Sequence, residues 1–133
     1  MDAQLQHYAN KLAYEIDAWD LSEALRAGQD VIVVDARSPS AYAREHIPGA
    51  INLPHRSMDH ATTAHLDRAT LYVSYCDGIG CNASTKGAYK LAQLGFTVKE
   101  LMGGLDWWKR DGYATAGDAA TCALDAEDCG CAG

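Results

Sequence analysis

Cys76 is the residue whose type and setting most clearly indicate chemistry. It follows an apolar stretch, residues 70–75, that is typical of a buried strand, and it precedes a short glycine-containing loop and an alanine-rich helix. A thiol between the end of a strand and the start of a helix faces backbone N–H groups and the positive end of the helix dipole. Because such surroundings favour the thiolate, the pattern predicts a nucleophilic cysteine with a lowered pKa.

The loop after the strand carries the other residues expected at the site. It consists of Cys76, Asp77, Gly78, Ile79, Gly80 and Cys81, and Asn82 follows at the start of the helix. The two glycines predict positive φ angles, which would let successive amides converge on the sulfur. No lysine or arginine lies between Cys76 and Ala83, and Asp77 adds a negative charge beside the nucleophile. Thiosulfate, a dianion, is therefore expected to bind poorly.

Four more cysteines stand at positions 81, 122, 129 and 131. Three roles stay open for Cys81: packing at the helix start, a resolving thiol that forms a disulfide with Cys76, or a second carrier of sulfur. Cys129 and Cys131, separated by one glycine, are likewise candidates for resolving or relaying sulfur. They could instead bind Zn²⁺ or Cu(I), which prefer thiolates, or have no role.

Several other polar and aromatic residues are better explained by structure than by chemistry. Asp35 and Arg37, directly after an apolar strand, are predicted to form a structural ion pair, and His46 is predicted to tie the turn at Pro48. Trp107 and Trp108 are assigned to the core and its rim. Positive charge near the loop would have to come from outside it, and the candidates are Arg37, Arg56, Lys86 and Lys90.

The elements that position Cys76 alternate between strands and helices. The predicted elements are a helix over residues 3–13, a strand over 14–19, a helix over 20–27 capped by Asp20, a strand over 31–36, a helix over 41–45, a strand over 50–53, a short helix and loop over 56–68, a strand over 70–75, a helix from about Asn82 to Gly95, a strand over 96–102 and a helix over 105–113. This alternation, with the β-branched run VIVVDA at 31–36, predicts an α/β domain with a mainly parallel sheet covered by helices on both faces.

Composition limits the domain count, the partners and the location. A chain of 133 residues fits one domain, which we place at residues 1–116, and the Ala, Gly, Asp and Cys content of 117–133 predicts a flexible tail. With 18 acidic and 11 basic side chains, nucleic acid and anionic membranes are disfavoured as partners. The sequence contains no apolar run of signal-peptide or membrane-span length, so we expect a cytoplasmic protein.

Three stretches together resemble the rhodanese-like sulfurtransferase family. They are VDARSPSAYAREHIPGAINLP (34–54), YCDGIGCNASTKGAYKLAQLGF (75–96) and VKELMGGLDWWKRDGY (98–113). The resemblance implies a sheet of about five strands, Cys76 as the catalytic residue and a sulfane sulfur carried as a persulfide. It implies a small sulfur donor and a thiol or protein acceptor, and no obligatory cofactor. The family often has a basic residue where this chain has Cys81.

Two other functions compete with sulfur transfer. A phosphatase of related architecture needs an arginine six positions after its cysteine to bind the oxyanion, and Asn82 occupies that position. We therefore set the phosphatase aside. A non-catalytic interaction or thiol- and metal-binding module that uses the cysteine-containing tail stays open as the alternative.

Overall fold

The computed structural model describes residues 2–122, which form a five-stranded sheet with helices on both faces. The elements are α1 (Ala3–Tyr14), β1 (Glu15–Ile16), α2 (Ala18–Arg26), β2 (Val31–Asp35), α3 (Pro39–Arg44), β3 (Ile51–Asn52), a 3-10 helix (His55–Ser57), β4 (Leu71–Tyr75), α4 (Ala83–Gln93), β5 (Thr97–Leu101) and α5 (Gly104–Arg110). The strand order is β1-β5-β4-β2-β3, and every neighbouring pair is parallel. The predicted α/β class is confirmed.

The two longest buried strands, β2 and β4, lie side by side at the centre and send alternate side chains to opposite faces of the sheet. Val33 and Val73 pack into one apolar cluster, with helices α2 and α5. Val34 and Tyr72 pack into the other, with helix α4. A parallel sheet covered on both faces requires such strands, which explains why residues 31–34, VIVV, form a continuous apolar run.

The first two elements differ in detail from the prediction. The helix predicted at 3–13 is confirmed, but none of its residues is buried, and Leu5, Tyr8 and Leu12 are exposed. The strand predicted over 14–19 is only two residues long, because α2 already begins at Ala18. The carboxylate of Asp17, rather than that of Asp20, caps α2 by accepting the Asp20 N–H at 2.7 Å.

Helix α4 begins at Ala83, close to the predicted start, but only part of its predicted buried stripe packs on the sheet. The sequence predicts a buried stripe of Ala88, Leu91 and Ala92, with Tyr89 as a further candidate. The buried residues are Ser84, Gly87 and Leu91, whereas Tyr89 and Ala92 are exposed. A Cβ on Gly87 would lie 3.1 Å from Ser74 Oγ and 3.2 Å from Ala36 Cβ. The small residues therefore let the helix lie close against β2 and β4.

The segment after α5 folds back on α3. The backbone groups of His46 and Ala116 exchange two hydrogen bonds, at 2.9 and 2.8 Å, and Asp118 N–H donates to the Ala43 carbonyl. The carboxylate of Glu45 accepts from the hydroxyls of Thr115 and Thr121. Residues 117–121, which composition assigns to the tail, are thus hydrogen-bonded to the domain. The division at 116 and 117 stays a prediction, and Cys129 and Cys131 lie outside the described residues.

Among residues 2–122, none of the helices has both the length and the apolar character needed to cross a membrane.

Candidate active site

Cys76 lies directly after β4 and is 1% exposed. The first turn of α5 holds its backbone: Leu105 N–H donates to the Cys76 carbonyl at 2.9 Å, and Asp106 N–H donates to the Asp77 carbonyl at 2.8 Å. Gly104 makes this approach possible. Its φ is +58°, and a Cβ there would overlap the Cys76 carbonyl oxygen. Gly104, the first residue of α5, therefore positions the loop that follows the cysteine.

The loop itself does not use its glycines as predicted. Gly78 and Gly80 do not have positive φ angles. The chain turns instead through a hydrogen bond from Cys81 N–H to the Gly78 carbonyl, at 3.1 Å. A Cβ on Gly78 would lie 3.2 Å from the Cβ of Asp106, so this glycine lets the loop approach α5, whereas a Cβ on Gly80 would meet nothing within 4 Å.

The sulfur faces oxygen atoms more than amides. Cys76 Sγ lies 3.1 Å from the Cys81 carbonyl oxygen and 3.4 Å from Ser84 Oγ. Burial raises the pKa of the Cys76 thiol, and the Cys81 side chain raises it further, whereas Ser84 acts in the opposite direction through its backbone N–H and through its hydroxyl whenever that hydroxyl donates to the sulfur. The pKa is raised overall. The predicted lowering is wrong for the free protein, because removal from water outweighs the amide of the first turn of α4.

Ser84 connects the sulfur to a carboxylate that the sequence reasoning missed. Ser84 Oγ lies 2.6 Å from Glu100 Oε2, and Thr85 Oγ1 lies 2.7 Å from the same oxygen. Glu100 is on β5, next to β4. The signal in the sequence is weak: an acidic residue near the end of a strand that should be half-buried, in FTVKELM, and a serine just inside the helix after the loop.

Arg37 reaches the loop, but as part of an ion-pair network. Its guanidinium binds both carboxylate oxygens of the fully buried Asp35 and, through Nη1, Asp77 Oδ1 at 2.9 Å. Tyr75 donates its hydroxyl hydrogen to Asp35. Burial acts to lower the pKa of Arg37, but the bonds to the two aspartates outweigh it and raise that pKa. The predicted structural ion pair of Asp35 and Arg37 is confirmed, and Arg37 forms a second ion pair with Asp77.

The other candidate cations lie elsewhere. Lys90 Nζ donates to the His55 carbonyl at 2.6 Å. Burial lowers the pKa of His55, and Lys86, Lys90 and Arg56 lower it further by their nearby positive charge. These three side chains thus gather around the 3-10 helix. His46 stacks on Tyr42 at 3.8 Å between ring centroids, and its Nδ1 bonds the Tyr42 carbonyl oxygen. These contacts are structural, as predicted, but they join His46 to α3 rather than to the turn at Pro48.

A cavity of about 660 Å³ opens beside the loop. Its polar wall includes Glu15, Asp17 and Glu100, and its apolar wall includes Ile79 and Trp107. Within residues 2–122, no lysine or arginine lines it. Trp107 is 45% exposed at the cavity rim while its neighbour Trp108 is buried, so both predicted positions for the tryptophans are confirmed.

The family model of the rhodanese-like domain matches residues 17–111, a range that contains β4, the loop and α5. The chain belongs to the rhodanese-like domain family. It is 39% identical over 87 residues to a thiosulfate sulfurtransferase of Pseudomonas entomophila, and the aligned region covers 65% of this chain and 76% of that protein. It is 35% identical over 98 residues to a sulfurtransferase of Allochromatium vinosum, covering 74% and 90% of the two chains.

Solved structures give the same result for the fold. A Bacillus halodurans protein superimposes with a TM-score of 0.84 at 42% identity, covering 88% of this chain and 86% of that one. The rhodanese-like domain of an Anabaena protein gives 0.71 at 28% identity, covering 86% of each chain. The resemblance of the three sequence stretches to this family is therefore confirmed. The roles of Cys76 and of the rhodanese-like loop residues stay predictions.

Substitution of Gly104 by alanine should destabilise the protein more than the same change at Gly28. Both glycines have positive φ angles, so each alanine costs about 1–2 kcal/mol of backbone strain. A Cβ on Gly28 meets nothing within 4 Å, whereas a Cβ on Gly104 meets the Cys76 carbonyl. We expect an additional loss of about 2 kcal/mol for Gly104→Ala, measured by urea unfolding. Equal losses for the two variants would show that the contact with the loop is unimportant.

Proposed function

We propose that this protein is a sulfurtransferase that carries sulfane sulfur as a persulfide on Cys76 and passes it to a thiol or another nucleophilic acceptor. The observation that carries the proposal is the position of Cys76 at the carboxyl end of the central strand β4, with its carbonyl bonded to α5 and its sulfur beside the first turn of α4. Relatives at 35–39% identity that are named sulfurtransferases support the same reaction class.

The reaction consists of two displacements at sulfur. The Cys76 thiolate attacks the outer sulfur of the donor, a new S–S bond forms, and the bond to the leaving group breaks with its electron pair. The leaving group is sulfite from thiosulfate or a thiolate from an organic persulfide. An acceptor thiolate then attacks the outer sulfur of the Cys76 persulfide and releases Cys76 as a thiolate. The proton lost when Cys76 ionises goes to solvent, and no further oxidant or reductant is needed.

The raised pKa of Cys76 sets the direction of the pH dependence. Because the pKa lies above that of an ordinary cysteine, a smaller fraction of Cys76 is thiolate at neutral pH. Sulfur loading should therefore become faster as the pH rises through the neutral range. Once a persulfide has formed, its terminal sulfur is anionic at neutral pH, and the N-terminus of α4 would stabilise it.

The loop residues have different parts in this proposal. The Asp77 carboxylate holds the loop to Arg37, and residues 78–82 line the cavity. Cys81 lies beside Cys76, so it remains a candidate for resolving the persulfide or for receiving its sulfur. Cys129 and Cys131 are candidates for the same two roles, and both lie outside the residues that the structure describes.

Incubation with an organic persulfide should add the mass of one sulfur atom to Cys76. Intact-mass measurement followed by peptide mapping locates the added sulfur, and the Cys76→Ser variant should lose this labelling. Cys81→Ser is the matched control, since it removes the second thiol within the loop and should leave loading of Cys76 in place. Equal labelling of wild type and Cys76→Ser would refute the proposed carrier.

Thiosulfate should be a poorer donor than cysteine persulfide. The cavity beside the loop carries three carboxylates and, among residues 2–122, no lining lysine or arginine, so a dianion meets unfavourable electrostatics there. Asp17→Asn removes one charge and retains an oxygen able to cap α2. It should lower the KM for thiosulfate about two- to fourfold, with a smaller effect on cysteine persulfide.

Glu23→Gln is the matched control for that measurement, because Glu23 is on the same helix but does not line the cavity. Its steady-state constants should stay at the wild-type values. An unchanged KM for Asp17→Asn, or an equal fall for Glu23→Gln, would show that the cavity charge does not select the donor.

A further inference from the structure

The direction of the hydrogen bonds between Cys76, Ser84 and Glu100 follows from counting hydrogens. An ionised carboxylate can only accept, and a hydroxyl has one hydrogen to donate. The 2.6 Å contact between Ser84 Oγ and Glu100 Oε2 must therefore use the hydroxyl hydrogen of Ser84. That leaves Ser84 Oγ as an acceptor toward Cys76 Sγ, 3.4 Å away. The Cys81 carbonyl, 3.1 Å from the sulfur, is also an acceptor.

The Gly78 carbonyl oxygen, 3.9 Å from the sulfur, is a third and more distant acceptor. The two nearer oxygens, like this one, favour a thiol over a thiolate. A thiol can donate to either of them, whereas a thiolate would meet their lone pairs and receive no hydrogen from the Ser84 hydroxyl. We propose that Glu100 is a positioning residue which, by holding the Ser84 hydroxyl hydrogen, keeps Cys76 protonated and sets the pH range in which it accepts sulfur. The inference rests on the proposed function for its biological meaning, but the effect on the thiol can be measured separately.

The position of Glu100 is fixed by its neighbours. It lies on β5 between β1 and β4, in register with Glu15 on one side and Ser74 on the other. Thr85 Oγ1 binds the same carboxylate oxygen at 2.7 Å, so two donors from the first turn of α4 hold it. Ser84 is 4% exposed, and its carbonyl accepts from the Ser74 hydroxyl. This arrangement leaves the Ser84 hydroxyl little freedom to turn toward the sulfur while Glu100 is ionised.

No lysine or arginine in the part of the chain that the structure describes forms an ion pair with Glu100. The titratable and charged groups that line the two cavities beside Glu100 or pair at the loop are His7, Lys11 and Tyr14 of α1, Glu15 paired with Lys11, Asp17, Cys81, Tyr89 of α4, Asp77 paired with Arg37, and Asp106 paired with Arg110. Glu15 and Asp17 add negative charge to the same cavity wall, and they provide a control for a general charge effect.

The test is a pH titration of the ultraviolet thiolate absorbance of Glu100→Gln, taken as the difference from the same protein with Cys76→Ser. The introduced glutamine removes the negative charge and can donate from its amide, so the Ser84 hydrogen becomes available to the sulfur. We expect the thiolate fraction of Cys76 at pH 7 to rise about three- to tenfold over wild type. An unchanged titration, or one displaced to higher pH, would overturn the proposal.

Three further variants separate the hydrogen bond from other causes. Glu100→Asp keeps the charge but shortens the side chain, so the carboxylate no longer reaches the Ser84 hydroxyl. The thiolate titration of this variant should therefore move in the same direction as that of Glu100→Gln. It decides the question if Glu100→Gln does not fold. Glu15→Gln removes a neighbouring carboxylate that has no bond to Ser84, and Thr85→Val removes the other donor to Glu100. Each should move the titration less than Glu100→Gln, and an equal displacement by either would refute the role of Ser84.

The same measurements keep this inference distinct from sulfur transfer. The thiolate titration needs no sulfur donor, so it reports on Glu100 even if Cys76 never carries a persulfide. If Cys76 is loaded by an organic persulfide, the loading rate at pH 7 should rise in Glu100→Gln by the same factor as the thiolate fraction. A titration that moves without any loading in wild type would reject the proposed function and retain the role of Glu100.

Discussion

The hydrogen bonds from the first turn of α5 to the carbonyls of Cys76 and Asp77 are the contact on which the site depends. They fix where β4 ends and where the loop begins, and they are possible only because Gly104 brings the α5 backbone against the Cys76 carbonyl. Helix α5 is anchored in turn by Leu105 and Trp108, which are buried on the sheet. The core on one face of the sheet therefore positions the sulfur, although no core side chain takes part in the chemistry.

A second anchor acts from the opposite side of the loop. Asp35 is completely buried, and an unpaired carboxylate there would be strongly unfavourable. Arg37 and Tyr75 satisfy it, and the remaining guanidinium nitrogen extends to Asp77. Removing Arg37 would leave the buried Asp35 carboxylate without its cation, a change that typically costs about 3–5 kcal/mol. The acidic residue after the nucleophile thus has a structural reason, which explains an aspartate at a position where the chemistry alone would favour a cation.

The fold could be predicted because its signals are local. The VIVVD run, the alternation of strands with helices and the glycines at the start of α5 each depend on neighbours in the chain, and so does the position of Cys76 after β4. The incorrect or missing predictions concern features that depend on contacts between segments far apart in the chain. Sequence alone did not indicate that Asp77 pairs with a residue 40 positions earlier, or that Ser84 meets a carboxylate 16 positions later. The predicted direction of the Cys76 pKa shift was wrong for the same reason, because the burial of the thiol depends on the folded loop around it.

Two kinds of electrostatics act at different distances in this site. The carboxylates of Glu15, Asp17 and Glu100 line a cavity open to water, so their repulsion of anions extends over several ångströms and is weakened by salt. The backbone N–H of Ser84 acts on the sulfur at contact distance and inside the protein, where salt has little effect. With no lysine or arginine in the loop, an anionic sulfur on Cys76 would be stabilised by fixed dipoles rather than by a cation. Donor selection and sulfur stabilisation are therefore physically separate, and ionic strength should change the first more than the second.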